Sequence, residues 1–551
     1  MLLTANAAAD DGTHKATPPP EATSMAAGGD AAAFRPAALT TNDMHMDHST
    51  TLPDAALAGS SPFISTGVAA LDTILGGGIT PNRLYMVEGI PGSGKTTLGL
   101  QFLQAGARLG ESVLYITLSE TEEEVRAIAS SHHWDLNGVQ ILQVVPDEQA
   151  LLPTEQYTVF QPDEVELGET TKSILAEVER RKPARVVFDS LSELRLLAGS
   201  PLRYRRQMLG LKQFFAGRQC TVFVLDDRTA TAEDPQLQSI AHGIIALEQW
   251  HPDYGRERRR LRVVKYRGVP FVGGYHDFTI RPGGLVVFPR LSAAAHRAVV
   301  HPGTLASGVT GLDELLGGGL ERGTSTLVTG APGTGKSTVA VTFAVAAAAR
   351  GERAAVFLFD ESVSTLLKRM RGLGNDLQPH LDSGRLTVQQ IDPAELSPGE
   401  FAHRVGQAAR AERASVVVID SLNGYLNAMP DERFLNAQLH EMLTYLGQLG
   451  TTTLLVSVQQ GLIGSMTSPV DASYLADTVV VMRYFESQGL VRQAVSVLKK
   501  RSGLHERAIR EFHLDAEGLR VSEPLRGFHG VLTGVPVYTG TEDPLMKDRL
   551  R

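Results

Sequence analysis

The sequence predicts an α/β protein of two tandem domains, each a doubly wound, mostly parallel sheet with helices on both faces. Two observations predict it: one module is written twice, and within each copy short β-branched runs alternate with helical stretches. The repeat appears when Ser65-Thr-Gly-Val-Ala-Ala-Leu-Asp72 and Leu75-Gly-Gly-Gly78 are laid on Ala306-Ser-Gly-Val-Thr-Gly-Leu-Asp313 and Leu316-Gly-Gly-Gly319, 241 residues further on. The same spacing joins Gly89 to Gly330, Lys95 to Lys336 and Glu120 to Glu361, whereas Asp189 and Asp420 stand 231 apart. The first copy therefore holds about ten extra residues, placed in the Pro- and acid-rich segment 146–169, a loop candidate. Runs 112–118, 185–188 and 221–225 read as strands. Each Gly-Gly-Gly tract reads as a turn that needs positive φ or a close backbone approach. The domains are expected at residues 58–294 and 295–532, after a disordered N-terminal tail, 1–57, and before a flexible C-terminal tail, 533–551.

A chain of 551 residues exceeds one hydrophobic core, which agrees with two domains. The formal net charge of −9 leaves no global excess of cations to hold a phosphate backbone, which disfavours a nucleic-acid binder. No apolar run is long enough to cross a bilayer, and the single cysteine, Cys220, sits in an apolar run and reads as a small buried hydrophobe. The expectation is a cytoplasmic protein without a membrane partner.

Gly89-Ile-Pro-Gly-Ser-Gly-Lys-Thr96 and Gly330-Ala-Pro-Gly-Thr-Gly-Lys-Ser337 fit the Walker A pattern, each after an apolar strand and before a helix. Gly89, Gly92, Ser93, Gly94, Thr97, Gly330, Gly333, Thr334, Gly335 and Thr338 would let backbone N–H groups wrap phosphates at a helix N-terminus. Lys95 and Lys336 would reach the β and γ phosphates, and Thr96 and Ser337 would ligate Mg²⁺, so both sites are expected to hold Mg-ATP. Val186-Val-Phe-Asp189 and Val416-Val-Val-Ile-Asp420 are strand runs ending in a carboxylate, as a Walker B aspartate does. Another strand end carries Ser119-Glu120 in one copy and Asp360-Glu361 in the other. Glu120 and Glu361 suit the base that orients an attacking water; the alternative is a helix N-cap followed by first-turn acids.

In these motifs the chain resembles the KaiC family of double-module ATPases over about residues 60–530. The resemblance implies two RecA-like P-loop NTPase domains. It also implies a homo-oligomer, a hexameric ring in the family, with nucleotide sites at subunit interfaces. In the family a strand ends in Lys-x-Arg and reaches the neighbour's nucleotide; the matching residues here are Lys265 and Arg267, and Lys499 and Arg501. A cation supplied in trans stabilises charge on the γ-phosphate, worth about 10³ to 10⁵ in rate in well-studied cases. Some members autophosphorylate a Ser/Thr pair in the second module. Here that segment reads Asp471-Ala-Ser473-Tyr474-Leu-Ala-Asp477, which leaves Ser473 as the acceptor and puts Tyr474 where a threonine is usual. Ser119 replaces the first of two adjacent glutamates, and His242 stands where the second copy has Asp477.

The reading is an ATP-hydrolysing oligomeric signalling protein with an unidentified protein partner and Ser/Thr autokinase chemistry at the second module. Two alternatives stand beside it. One is a nucleotide-gated scaffold with negligible turnover; the other is a RecA- or helicase-type DNA-dependent ATPase, disfavoured because the candidate loop 461–471 carries no Lys or Arg.

Overall fold

In each half of the chain six apolar runs pair side by side and in parallel. The computed structural model describes residues 62–144, 162–227, 238–293, 302–427, 434–459, 472–533 and 535–540. The first sheet has nine strands, in the order Val139–Gln143, Val113–Thr117, Arg185–Asp189, Thr221–Asp227, Leu84–Gly89, Gly243–Trp250, Arg258–Tyr266, His276–Arg281, Gly284–Phe288. The first six are parallel and the last three antiparallel. The second sheet repeats the order: Leu386–Gln390, Arg353–Leu358, Ala414–Asp420, Thr452–Val458, Ser325–Gly330, Thr478–Ser487, Leu490–Lys500, Ile509–Asp515, Gly518–Pro524. The central strands are buried from end to end, as sheets covered by helices on both faces require. Each sheet divides its core into two apolar layers, one per face.

The repeated lead-in has a structural task. Asp72 accepts hydrogen bonds from Thr66 N (2.8 Å) and Thr66 Oγ1 (2.6 Å), and Asp313 accepts from Ser307 N (2.7 Å) and Ser307 Oγ (2.8 Å). Each carboxylate thus ties the loop before its short helix to that helix. The glycine tracts take φ of 76° to 126° in the first copy and 70° to 121° in the second. A Cβ on Gly319 would lie 2.5 Å from the Leu305 carbonyl oxygen, so backbone packs where a side chain has no room.

The two modules meet through the outer strands of the first sheet. Helix Pro398–Arg410 of the second module lies against His276–Arg281, with Asp277 Oδ2 accepting from the Gly399 N–H at 2.7 Å. Asp277 therefore acts across the module boundary as a cap on free N–H groups at a positive helix end. Arg281 pairs with Glu400 at 2.5 Å, and the Arg258 guanidinium donates to the Pro393 carbonyl at 2.9 Å. Cys220 is buried, and burial pushes its thiol up to about 12. Among the described residues no helix is long and apolar enough to cross a membrane. Residues 1–61, 146–161 of the segment read as a loop, 294–301 around the expected boundary, 461–471 and 541–551 lie outside the described residues, while 162–169, also read as loop, begin the helix Pro162–Arg181. Val537–Tyr538, in the stretch read as a C-terminal tail, pairs with Phe528–His529.

Asp277→Ala is expected to destabilise the chain by about 1–2 kcal/mol by stranding the Gly399 N–H, and Asp277→Asn by less. A lowered urea midpoint for the alanine variant, at unchanged slope, is the measurement.

Candidate functional site

Both Walker A loops leave a central strand and enter a helix through glycines in the left-handed region: Gly92 (φ 81°) and Gly94 (100°) in the first copy, Gly333 (79°) and Gly335 (91°) in the second. Gly94 and Gly335 are the N-caps of helices Lys95–Arg108 and Lys336–Ala349. The start of each helix thus opens toward the loop, the arrangement that receives phosphate. Thr334 Oγ1 closes its loop on the Ala331 carbonyl at 2.9 Å, while Ser93 Oγ is buried without a hydrogen-bond partner. Thr97 and Thr338 are buried in the first helical turn.

Parallel pairing carries the Walker B carboxylates to the same place. In the first copy Thr96 Oγ1 donates to Asp189 Oδ2 at 2.9 Å, and Tyr115 OH donates to the same oxygen at 2.5 Å. In the second copy the Ser337 hydroxyl bonds Asp420. Burial raises both carboxyls above the usual range. A hydroxyl and a carboxylate that already converge are the hard oxygen donors Mg²⁺ takes alongside phosphate and water, so these residues fit the ion.

The acidic strand ends differ between copies. Thr117 Oγ1 fixes the turn at Glu120, donating to its carbonyl and accepting from its N–H, both at 2.9 Å. Glu120 Oε2 is enclosed without a hydrogen-bond partner. Burial, with Asp189, Glu124 and Asp227 adding to it, raises this carboxyl. Thr121 caps the next helix in a box with Glu124, so the capping role belongs to Thr121 and leaves Glu120 outside it. Glu361 is held differently: Arg369 grips both its oxygens, at 3.2 and 2.7 Å, and also donates to Thr338 Oγ1 at 2.7 Å. Asp360 accepts from Ser421 Oγ at 2.5 Å, beside Asp420. Arg369 and Lys368 line a cavity of about 760 Å³ with Gly333, Lys336, Ser337 and Glu361, a volume in the range of small-ligand sites.

The P-loop lysines differ too. Lys95 Nζ donates to the carbonyls of Gly89 (3.0 Å) and Ile90 (2.9 Å) and lies 2.7 Å from Asp227 Oδ1. Lys336 Nζ donates to the Ala331 carbonyl at 2.6 Å, and burial lowers its ammonium to about 8.

Lys265, Arg267, Lys499 and Arg501 are not gathered at their own P-loops. The Arg267 and Arg501 N–H groups bond the carbonyls of His242 (3.1 Å) and Asp477 (2.9 Å). These residues lie five positions back from Leu247 and Met482, which face Gly89 and Gly330 in the sheets. Five strand residues span about 16 Å, so the cations occupy the opposite end of the sheet from the phosphate loops. There Lys265 donates to the Gln238 carbonyl (2.6 Å) and Arg267 to the Ser239 carbonyl (2.7 Å). In the second copy Lys499 donates to the carbonyls of Ser473 (2.8 Å) and Ala476 (2.7 Å), and Arg501 to that of Tyr474 (2.7 Å). Asp477 also pairs with Arg501 at 3.1 Å; in its place stands His242, whose imidazole is pushed below its ordinary range by burial and by Arg83, Arg267, Lys212 and Lys265.

Sequence reasoning passed over Tyr115, Asp227 and Arg369. Tyr115 and Val356 are 241 residues apart, as are Ile128 and Arg369, so the repeat hides whatever one copy has alone.

A family model described as the KaiC ATPase matches residues 64–292 and again 305–526. The chain is similar to circadian clock protein KaiC3 of Synechocystis sp., 27% identical over 491 residues, 87% of this chain and 95% of that protein. It is 26% identical over 487 residues to circadian clock oscillator protein KaiC of Synechococcus elongatus, covering 86% and 91% of the two chains. It is also 26% identical over 479 residues to circadian clock protein KaiC2 of Synechocystis sp., covering 85% and 83%.

Equilibrium dialysis with Mg-ATP is expected to give two nucleotides per chain, falling to about one in Lys95→Ala or Lys336→Ala and to none in the double variant. Retention of both nucleotides in the double variant would contradict the P-loop assignment.

Proposed function

The chain belongs to the KaiC ATPase family, and from that premise we propose an ATP-hydrolysing oligomeric signalling protein whose two sites are each completed by a neighbouring copy. The observation that carries this reading is the position of Lys265, Arg267, Lys499 and Arg501. All four are tied to backbone carbonyls about 16 Å along the sheet from their own P-loops, where they cannot meet their own phosphates. A second copy that sets this end of its sheet against the P-loop end of the first supplies the missing cations. The signalling role follows from the relatives named circadian clock proteins.

In each site the helix N-terminus and Lys95 or Lys336 bind the phosphates, and Thr96 with Asp189, or Ser337 with Asp420, holds Mg²⁺. The ion supplies charge neutralisation when bound. Glu120, enclosed and with a raised carboxyl, accepts the proton of the attacking water; Glu361 does so once Arg369 releases it. Autophosphorylation at Ser473 is a second reading. Lys499 holds the Ser473 carbonyl, so this serine travels with the trans-acting cation to the neighbour's phosphate.

Incubation with γ-labelled ATP and Mg²⁺ tests both readings. Glu120→Gln and Glu361→Gln are each expected to cost about a hundredfold in phosphate release at their own site. Label on the protein that disappears in Ser473→Ala establishes the autokinase; phosphate release without label leaves an ATPase alone; neither signal favours a nucleotide-gated scaffold. In a chain silenced at the first site by Lys95→Ala, Arg369→Ala is expected to raise phosphate release about threefold to tenfold, because the base no longer shares its charge with a guanidinium. Unchanged release would mean the Arg369–Glu361 pair opens on nucleotide binding without cost.

A further inference from the structure

Asp227 ends the strand Thr221–Asp227 and stands in register with the P-loop residue Gly89. Its Oδ1 lies 2.7 Å from the Nζ of Lys95, whose side chain is 7% exposed against 27% for Asp227. Ser192 anchors the carboxylate from behind, its hydroxyl donating to Asp227 Oδ2 at 3.3 Å and accepting from the Asp227 N–H at 3.2 Å. The adjoining Asp226 has a cation of its own, Arg195 at 2.8 Å, whereas the cation on Asp227 is the phosphate-binding lysine. In the second copy the residue in register with Gly330 is Val458, and Lys336 meets a carbonyl.

A nucleotide that brings phosphate to Lys95 must take this ammonium from Asp227 and then lie beside the carboxylate. The negative field there is already dense: Asp189 and Glu120 both feel Asp227. ATP places one more anionic phosphate in that field than ADP does. Like charges a few ångströms apart, in a partly buried site, disfavour each other far more than in water. We infer that Asp227 is a specificity-determining residue of the first site, biasing it toward the nucleoside diphosphate, a bias that Val458 removes from the second. The inference rests on the reading that both P-loops bind nucleotide. The first site then holds the diphosphate the more tightly, while the second takes either nucleotide without that bias.

The test uses the full chain carrying Lys336→Ala and Ser337→Ala, so that the first site is read alone. Fluorescent ADP and the non-hydrolysable β,γ-imido analogue of ATP are titrated, each with Mg²⁺. ADP is expected to bind about tenfold tighter or more, and the ratio is expected to fall toward one in Asp227→Asn and in Asp227→Val. A ratio unmoved by both variants overturns the inference, since a merely structural aspartate would weaken or spare both nucleotides alike. A ratio that shifts further toward ADP also overturns it, as the loss of a magnesium-holding carboxylate would give. Lys95→Ala in the same background separates nucleotide binding at the first P-loop from the choice between the two nucleotides. Binding that survives it, or no binding in the starting chain, overturns the reading of the first P-loop and this inference with it.

Discussion

The phosphate-loop rim of either module depends on parallel pairing among four strands. Where Leu84–Gly89, Thr221–Asp227, Arg185–Asp189 and Val113–Thr117 run side by side, their C-terminal ends fall on one rim. The P-loop, the Walker B aspartate and the strand-end glutamate then come together without any of them being near another in sequence. Ligands of open α/β sheets bind at this rim because backbone groups and helix N-termini are free there, while the sheet interior is closed by apolar packing. A register slip of one residue would turn the alternating side chains to the other face and break the Thr96–Asp189 contact.

The same scaffold carries two different electrostatic arrangements. In the first module an anion holds the P-loop lysine and the glutamate Oε2 is enclosed without a hydrogen-bond partner; in the second a guanidinium grips the glutamate and the lysine meets the Ala331 carbonyl. The backbone repeats while the charge pairing is exchanged, through single residues at equivalent places: Asp227 against Val458 and Ile128 against Arg369. Duplicated modules can separate their tasks in this way without altering the fold, since each exchanged residue lies at a strand end or on a helix flanking the phosphate loop.

Antiparallel strands at the far side of each sheet do a different job. They turn the chain back past the P-loop strand and deliver Lys265, Arg267, Lys499 and Arg501 to the opposite rim, and in the first module they also form the seat for helix Pro398–Arg410. The outer strands that carry Asp277 and Arg281 thus join the two modules, while the inner pair carries the cations.

The sequence by itself determined the repeat, both P-loops, the strand runs that end in Asp189 and Asp420, and the alternation of strand and helix. Each is written in contiguous residues whose spacing follows from local backbone geometry, as in the glycines of residues 89–96 or the buried run 416–420. The lead-in motif was legible as a pattern, yet its task was not, because the carboxylates of Asp72 and Asp313 act on atoms five to seven residues away. Tertiary structure alone decided the contacts between chemically ordinary residues far apart in the chain: Tyr115 on Asp189, Asp227 on Lys95, Asp277 on the Gly399 N–H. Charge pairing depends on distance in space, and in a doubly wound sheet the strands that are neighbours in space are not neighbours in sequence.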